Sequence, residues 1–184
     1  MRLLCYGDSN TYGFDPRSYL GGRYPASERW VDLLAVLCGM DCENLGANGR
    51  TIPLRPMSRG PAPDEGLIIM LGTNDILQGL APAECARRME VFLSGCEKGR
   101  ALVVAPPPLE PGSWVADNAL TDASRALAGL YGPLAARLGQ GFADASAWEP
   151  RLAFDGVHLL PEGHRALALG ISRAVKRFFI NKEA

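Results

Sequence analysis

The chain has 184 residues, 47% of them hydrophobic and 21% charged, with a formal net charge of -1. That length and composition predict one domain with a sizeable buried core, residues 1–184. Without blocks of like charge it has no field to hold nucleic acid or an anionic membrane, and no apolar stretch is long enough to span a bilayer.

In chain order, residues 2–6 form a continuous apolar run of strand length, followed at once by Gly7-Asp8-Ser9. The spacing from Pro25 to Cys38 predicts a helix with Trp30, Leu33, Leu34 and Leu37 on one face and Ser27 as N-cap. A weaker strand over 41–45 leads into Asn44 to Thr51. The stretch 53–66, rich in Pro, Gly and Arg, is irregular. Residues 67–71 form a third strand, ending at Gly72-Thr73-Asn74-Asp75.

Pro82 opens a helix with Ala86, Met89 and Leu93 on one stripe. Residues 101–105 form a fourth strand, and the stretch 106–116 after it is again irregular. Asp117 caps a long helix carrying Leu120, Leu127, Leu130, Leu134 and Leu138, and 141–145 is a weak fifth strand. Pro161 starts a final helix with Leu167, Ile171, Ala174 or Val175, and Phe178 inward. Continuous apolar strands alternating with amphipathic helices predict an α/β fold, a parallel sheet of five strands with helices on both faces. The two irregular stretches are expected to be rim loops of a site.

Ligands of such sheets bind beyond the carboxyl ends of the strands, where four polar segments fall. Ser9, on the first turn of a short helix, is the candidate nucleophile, and Asp8 a cap beside it. Asp155-Gly156-Val157-His158 offers a carboxylate three residues before an imidazole. A tight turn would let Asp155 hold Nδ1–H and leave Nε2 of His158 facing Ser9. Gly49 and Asn74, with the Ser9 N–H, are expected to form the oxyanion hole. Asp75 reads as a loop-organising acceptor and His164 as a structural residue of the final helix. Tyr12 and Trp114 are candidates to shape the pocket, although Trp114 suits a subunit contact in a homo-oligomer equally well.

The five cysteines form no C-x-x-C pair, and no histidine completes a zinc set around Cys38 and Cys42. They read as thiols in a reducing compartment, with neither metal nor cofactor. Met1-Arg2 is too slight a basic region, and Asp8 interrupts the apolar run, so no signal peptide is expected and the cytoplasm is the predicted location.

Together these segments resemble the SGNH hydrolases, also called the GDSL esterase/lipase family. Gly7-Asp8-Ser9 is similar to the first block of that family, Asn44 to Thr51 to the second, Gly72 to Asp75 to the third and Asp155 to His158 to the last. Gly49 matches the backbone donor of the second block better than Gly46 does. Asn10 stands where the family's commonest motif has leucine. The resemblance implies a three-layer, flavodoxin-like fold and an active site open to water and small esters. A G-x-S-x-G elbow, the mark of the α/β-hydrolase family, is absent.

The expected activity is a metal-free serine esterase acting on short-chain carboxylic esters, such as acetyl esters of sugars or aryl alcohols, with a small-molecule ester as its partner. Acyltransferase, thioesterase or lysophospholipase chemistry would use the same groups. A non-catalytic binding module on the same fold is the alternative of a different class. A flavin- or nucleotide-binding domain is disfavoured, since the first strand-to-helix turn lacks a glycine-rich phosphate loop.

Overall fold

The computed structural model describes residues 1–18 and 20–181. The chain runs β1 (Arg2–Gly7), α1 (Ser9–Tyr12), α2 (Trp30–Cys38), β2 (Cys42–Gly46), β3 (Glu65–Met70), α3 (Thr73–Leu77), α4 (Pro82–Leu93), β4 (Ala101–Ala105), α5 (Asn118–Arg137), β5 (Gly141–Asp144) and α6 (Pro161–Val175). The five strands are all parallel, in the order β2-β1-β3-β4-β5. Four of them differ from the sequence expectation by one or two residues at an end, and β4 matches it.

The run Leu67 to Leu71 shows why a buried parallel strand reads as continuously apolar. Leu67, Ile69 and Leu71 point to one face, where they meet Cys85, Met89 and Phe92 of α4 and Leu127, Tyr131 and Leu134 of α5. Ile68 and Met70 point to the other and meet Trp30, Val31 and Leu34 of α2 with Leu167, Ile171 and Val175 of α6. The result is three layers, helices over both faces of one sheet.

Several local expectations are corrected. Residues 26–28 form a short 3₁₀ turn, so α2 begins only at Trp30 and Ser27 caps nothing. The buried face of α2 is Trp30, Val31 and Leu34, whereas Leu37 is 40% exposed. Leu130 also lies at the surface of α5, while Tyr131 is buried. The stretch 53–66 is no rim loop. It leaves the site at Ile52 and crosses to the far end of the sheet, where Asp64 accepts from Arg2 N–H and Pro63 from the Arg100 guanidinium. By contrast 106–116 does border the site.

Strand order fixes where the site must lie. From β1 the sheet grows toward β2 on one side and β3 on the other, so the connections diverge between β1 and β3 and open a crevice at their carboxyl ends. Ser9 is two residues beyond β1, and Asn74 four beyond β3.

Candidate active site

Asp8 terminates β1 and caps α1, its Oδ1 accepting from the Asn10 N–H at 2.9 Å. This makes Ser9 the first residue of the helix, inside the turn whose N–H groups lack intrahelical partners. Burial pushes the Asp8 carboxyl up to about 6, against the opposing pull of the Asn10 N–H and of His158. Ser9 is only 7% exposed.

The segment after β5 supplies the other two groups. A 3₁₀ turn over 145–148 is followed by an irregular stretch, pinned by a Leu152–Leu159 bridge and by Ala153 N–H donating to the His158 carbonyl at 2.7 Å. Within it Asp155 folds back on its own successors. Its Oδ1 accepts the N–H of Val157 and of His158, each at 2.9 Å, and its Oδ2 lies 2.7 Å from His158 Nδ1. The other ring nitrogen, Nε2, lies 3.0 Å from Ser9 Oγ. The structure thus brings together Ser9, His158 and Asp155, 149 residues apart at the extremes of the Ser9–His158 contact.

Burial alone would raise the Asp155 carboxyl. The hydrogen bonds from the His158 ring and from the N–H groups of His158 and Val157 outweigh it and hold the group below the usual carboxylate range. Asp155 therefore stays an anion against the imidazole. The arrangement can pass a proton from Ser9 to Nε2 while the carboxylate steadies the resulting imidazolium.

Gly49 and Asn74 sit on loops that are tied together. Gly49 has φ 72, a conformation that disfavours any side chain, and the space where a Cβ would stand is open. Asn74 Nδ2 donates to the Arg50 carbonyl at 3.0 Å, which anchors the amide and leaves its second N–H free of that bond. Arg50 in turn donates to the carbonyls of Gly7, at 3.0 Å, and Leu45, and its guanidinium lies 4.1 Å from the Tyr6 ring centroid. Asp75 does organise the loop: buried, it accepts from the Ile52 N–H at 3.0 Å and faces Arg88.

The aromatic surroundings are only partly as expected. Trp114, 58% exposed, stands edge-on to the His158 ring with centroids 5.2 Å apart. Phe14 tilts against the same ring at 4.6 Å and was not evident from sequence, because it precedes no motif. Tyr12 ends α1 with its ring 4.4 Å from the Arg23 guanidinium carbon. His164 is structural: fully buried, it accepts the Trp30 N–H through Nδ1 at 3.4 Å, and burial depresses its pKa to about 3. Among the described residues no three His, Cys, Asp or Glu side chains gather as a metal site, and no helix is long and apolar enough to cross a membrane.

A hydroxyl, an imidazole and a carboxylate in series at the switch point of a parallel sheet are the working parts of an α/β acyl hydrolase. The chain belongs to the GDSL-like lipase/acylhydrolase family, whose model matches residues 5–166, and is accordingly a carboxylic ester hydrolase. It is similar to a solved carbohydrate acetylesterase family member from Sinorhizobium meliloti, at 28% identity over 95% of this chain and 97% of that one, with a TM-score of 0.79. It is also similar to the inhibitor-bound aryl esterase of M. smegmatis, at 25% identity over 97% and 99% of the two chains, with a TM-score of 0.79. A further carbohydrate acetylesterase from Sinorhizobium meliloti shares 27% identity over 95% and 97%, with a TM-score of 0.75. A search of curated proteins finds no match.

Proposed function

We propose that the protein is a serine esterase that cleaves short-chain carboxylic esters through an acyl-enzyme. The unbroken series Ser9 Oγ to His158 Nε2 at 3.0 Å and His158 Nδ1 to Asp155 at 2.7 Å carries this reading. His158 takes the Ser9 proton as Oγ bonds to the ester carbonyl carbon, and the carbonyl electron pair moves onto its oxygen. The N–H groups of Ser9 and Gly49 and the Asn74 amide donate to that oxyanion. Collapse breaks the bond to the alcohol, which leaves with the proton from Nε2. Water then repeats the sequence: Nε2 takes one proton, the hydroxide oxygen bonds to the acyl carbon, and Oγ leaves reprotonated.

Acetyl esters of sugars or of aryl alcohols are the favoured substrates. The similar solved structures include a carbohydrate acetylesterase and an aryl esterase, and here the Trp114 and Phe14 rings both lie against His158, with centroids 5.2 and 4.6 Å from its own. All five cysteines are free thiols, which supports the cytoplasm as the setting. The test is turnover of p-nitrophenyl acetate by Ser9→Ala beside the parent. The variant should lose at least about 10³-fold in kcat, and undiminished turnover would remove Ser9 from the mechanism. Running the parent with an added alcohol separates hydrolysis from acyl transfer by its products.

A further inference from the structure

The residue next to the nucleophile departs from the leucine common in this family, and its side chain has a specific place. Asn10 is 3% exposed, and its carboxamide is engaged at both ends. Nδ2 donates to the Val157 carbonyl at 3.0 Å, and Oδ1 accepts from the Leu159 N–H at 2.9 Å. Those two groups belong to the peptide units on either side of His158. One amide therefore pairs with the backbone flanking the histidine, as a neighbouring strand would.

The other backbone bonds around His158 are local. Its N–H goes to Asp155 and its carbonyl to Ala153, both within the same stretch. They set the ring relative to Asp155 but not relative to Ser9. Asn10 supplies the missing reference, because it adjoins Ser9 in the first turn of α1 and grips the chain on both sides of His158. We infer that Asn10 is a positioning residue that fixes the Ser9–His158 separation by clamping the two peptide groups flanking the histidine. Leucine would fill a similar volume but can neither donate nor accept, leaving the Val157 carbonyl and Leu159 N–H without this partner.

The inference rests on the catalytic reading above, and the two fail separately. An inactive parent removes the catalytic reading, whereas an active parent with an equally active variant removes only the clamp. The experiment compares Asn10→Leu and Asn10→Asp with the parent, at a temperature well below the melting transition of each. The readouts are kcat and KM on p-nitrophenyl acetate and the rate of Ser9 labelling by a fluorophosphonate.

A merely structural amide would lower the melting temperature and leave these rates alone. The clamp predicts that kcat and labelling rate fall about 10- to 100-fold in Asn10→Leu while KM stays within about two-fold, since a misplaced base slows the transfer without touching substrate binding. In Asn10→Asp, which accepts from Leu159 but cannot donate to Val157 when ionised, kcat should fall by at least about 10-fold. Two results overturn the inference: kcat within two-fold of the parent in a folded variant, or a chain that folds with neither substitution, since the amide would then serve the fold.

Discussion

At the residue scale, the proposed mechanism separates groups that would touch substrate from groups that hold them. Asp155 acts on the imidazole, so Asp155→Asn should present the wrong hydrogen-bonding partner to Nδ1. A fall in kcat of about 10³- to 10⁴-fold with little change in KM is expected, and steady-state kinetics on p-nitrophenyl acetate decides it. Asn74→Ala, which removes the proposed oxyanion donor, should lower kcat by about 10²- to 10³-fold; full activity would take Asn74 out of the hole. The sequence showed Ser9, Asp155 and His158 because each lies in a short polar segment whose chemistry is local. It did not show the Asn10 clamp or the Phe14 contact, because both depend on which groups a distant loop presents. Even the Asn10 departure from the common motif could be noted but not explained until Val157 and Leu159 were placed.

At the scale of elements, what could be read was periodicity, and what could not was direction. The continuous runs in β3 and β4 identified strands covered on both faces, and Asp117 was recognised as the cap of α5, where it accepts from Ala119 N–H at 2.8 Å. Asp117→Ala should cost about 1 kcal/mol in chemical denaturation. On α2 the expectation of Leu33 against the core is met, but the expected face has Leu37 in place of Val31, because both fit helical spacing and only the packing of the folded chain chooses between them. The stretch 53–66 was misplaced for a related reason. Proline and glycine mark irregular backbone, but not that it crosses from Ile52 at one end of the sheet to Asp64 at the other. Close packing between elements was equally invisible. A methyl group at Gly170 of α6 would fall inside the Trp148 indole, so Gly170→Ala should destabilise by about 1–3 kcal/mol despite the better helix propensity of alanine. A gain in stability would show that Trp148 moves aside freely.

At the scale of the whole molecule, two buried titrating groups oppose each other in acid. His164 has its pKa depressed from 6.5 to about 3 by burial, so the folded state resists the proton that the unfolded chain accepts. Its stabilising contribution is present above pH 6.5 and is lost as pH falls toward 3. Asp8 has its pKa raised from 3.8 to about 6, so its contribution runs the other way, present below 3.8 and lost as pH rises through 6. The parent's own slope between pH 4 and 6 therefore understates His164. Comparing it with His164→Asn, whose side-chain oxygen can still accept from Trp30, isolates the effect. Between pH 7 and pH 4 the parent should lose up to about 3 kcal/mol more than the variant, and parallel stability curves would contradict the assignment.

The fold itself concentrates the chemistry. Because β1 and β3 are neighbours whose connections diverge, Ser9 and Asn74 reach one crevice, and the stretch after β5 delivers His158 to it. The central claim is that Ser9 is the nucleophile activated there. Peptide mass spectrometry after treatment of the folded protein with a fluorophosphonate tests it most directly. A single adduct on Ser9, absent from the His158→Ala variant over the same interval, is the predicted result. An unmodified Ser9, or an adduct on another residue instead, would contradict it.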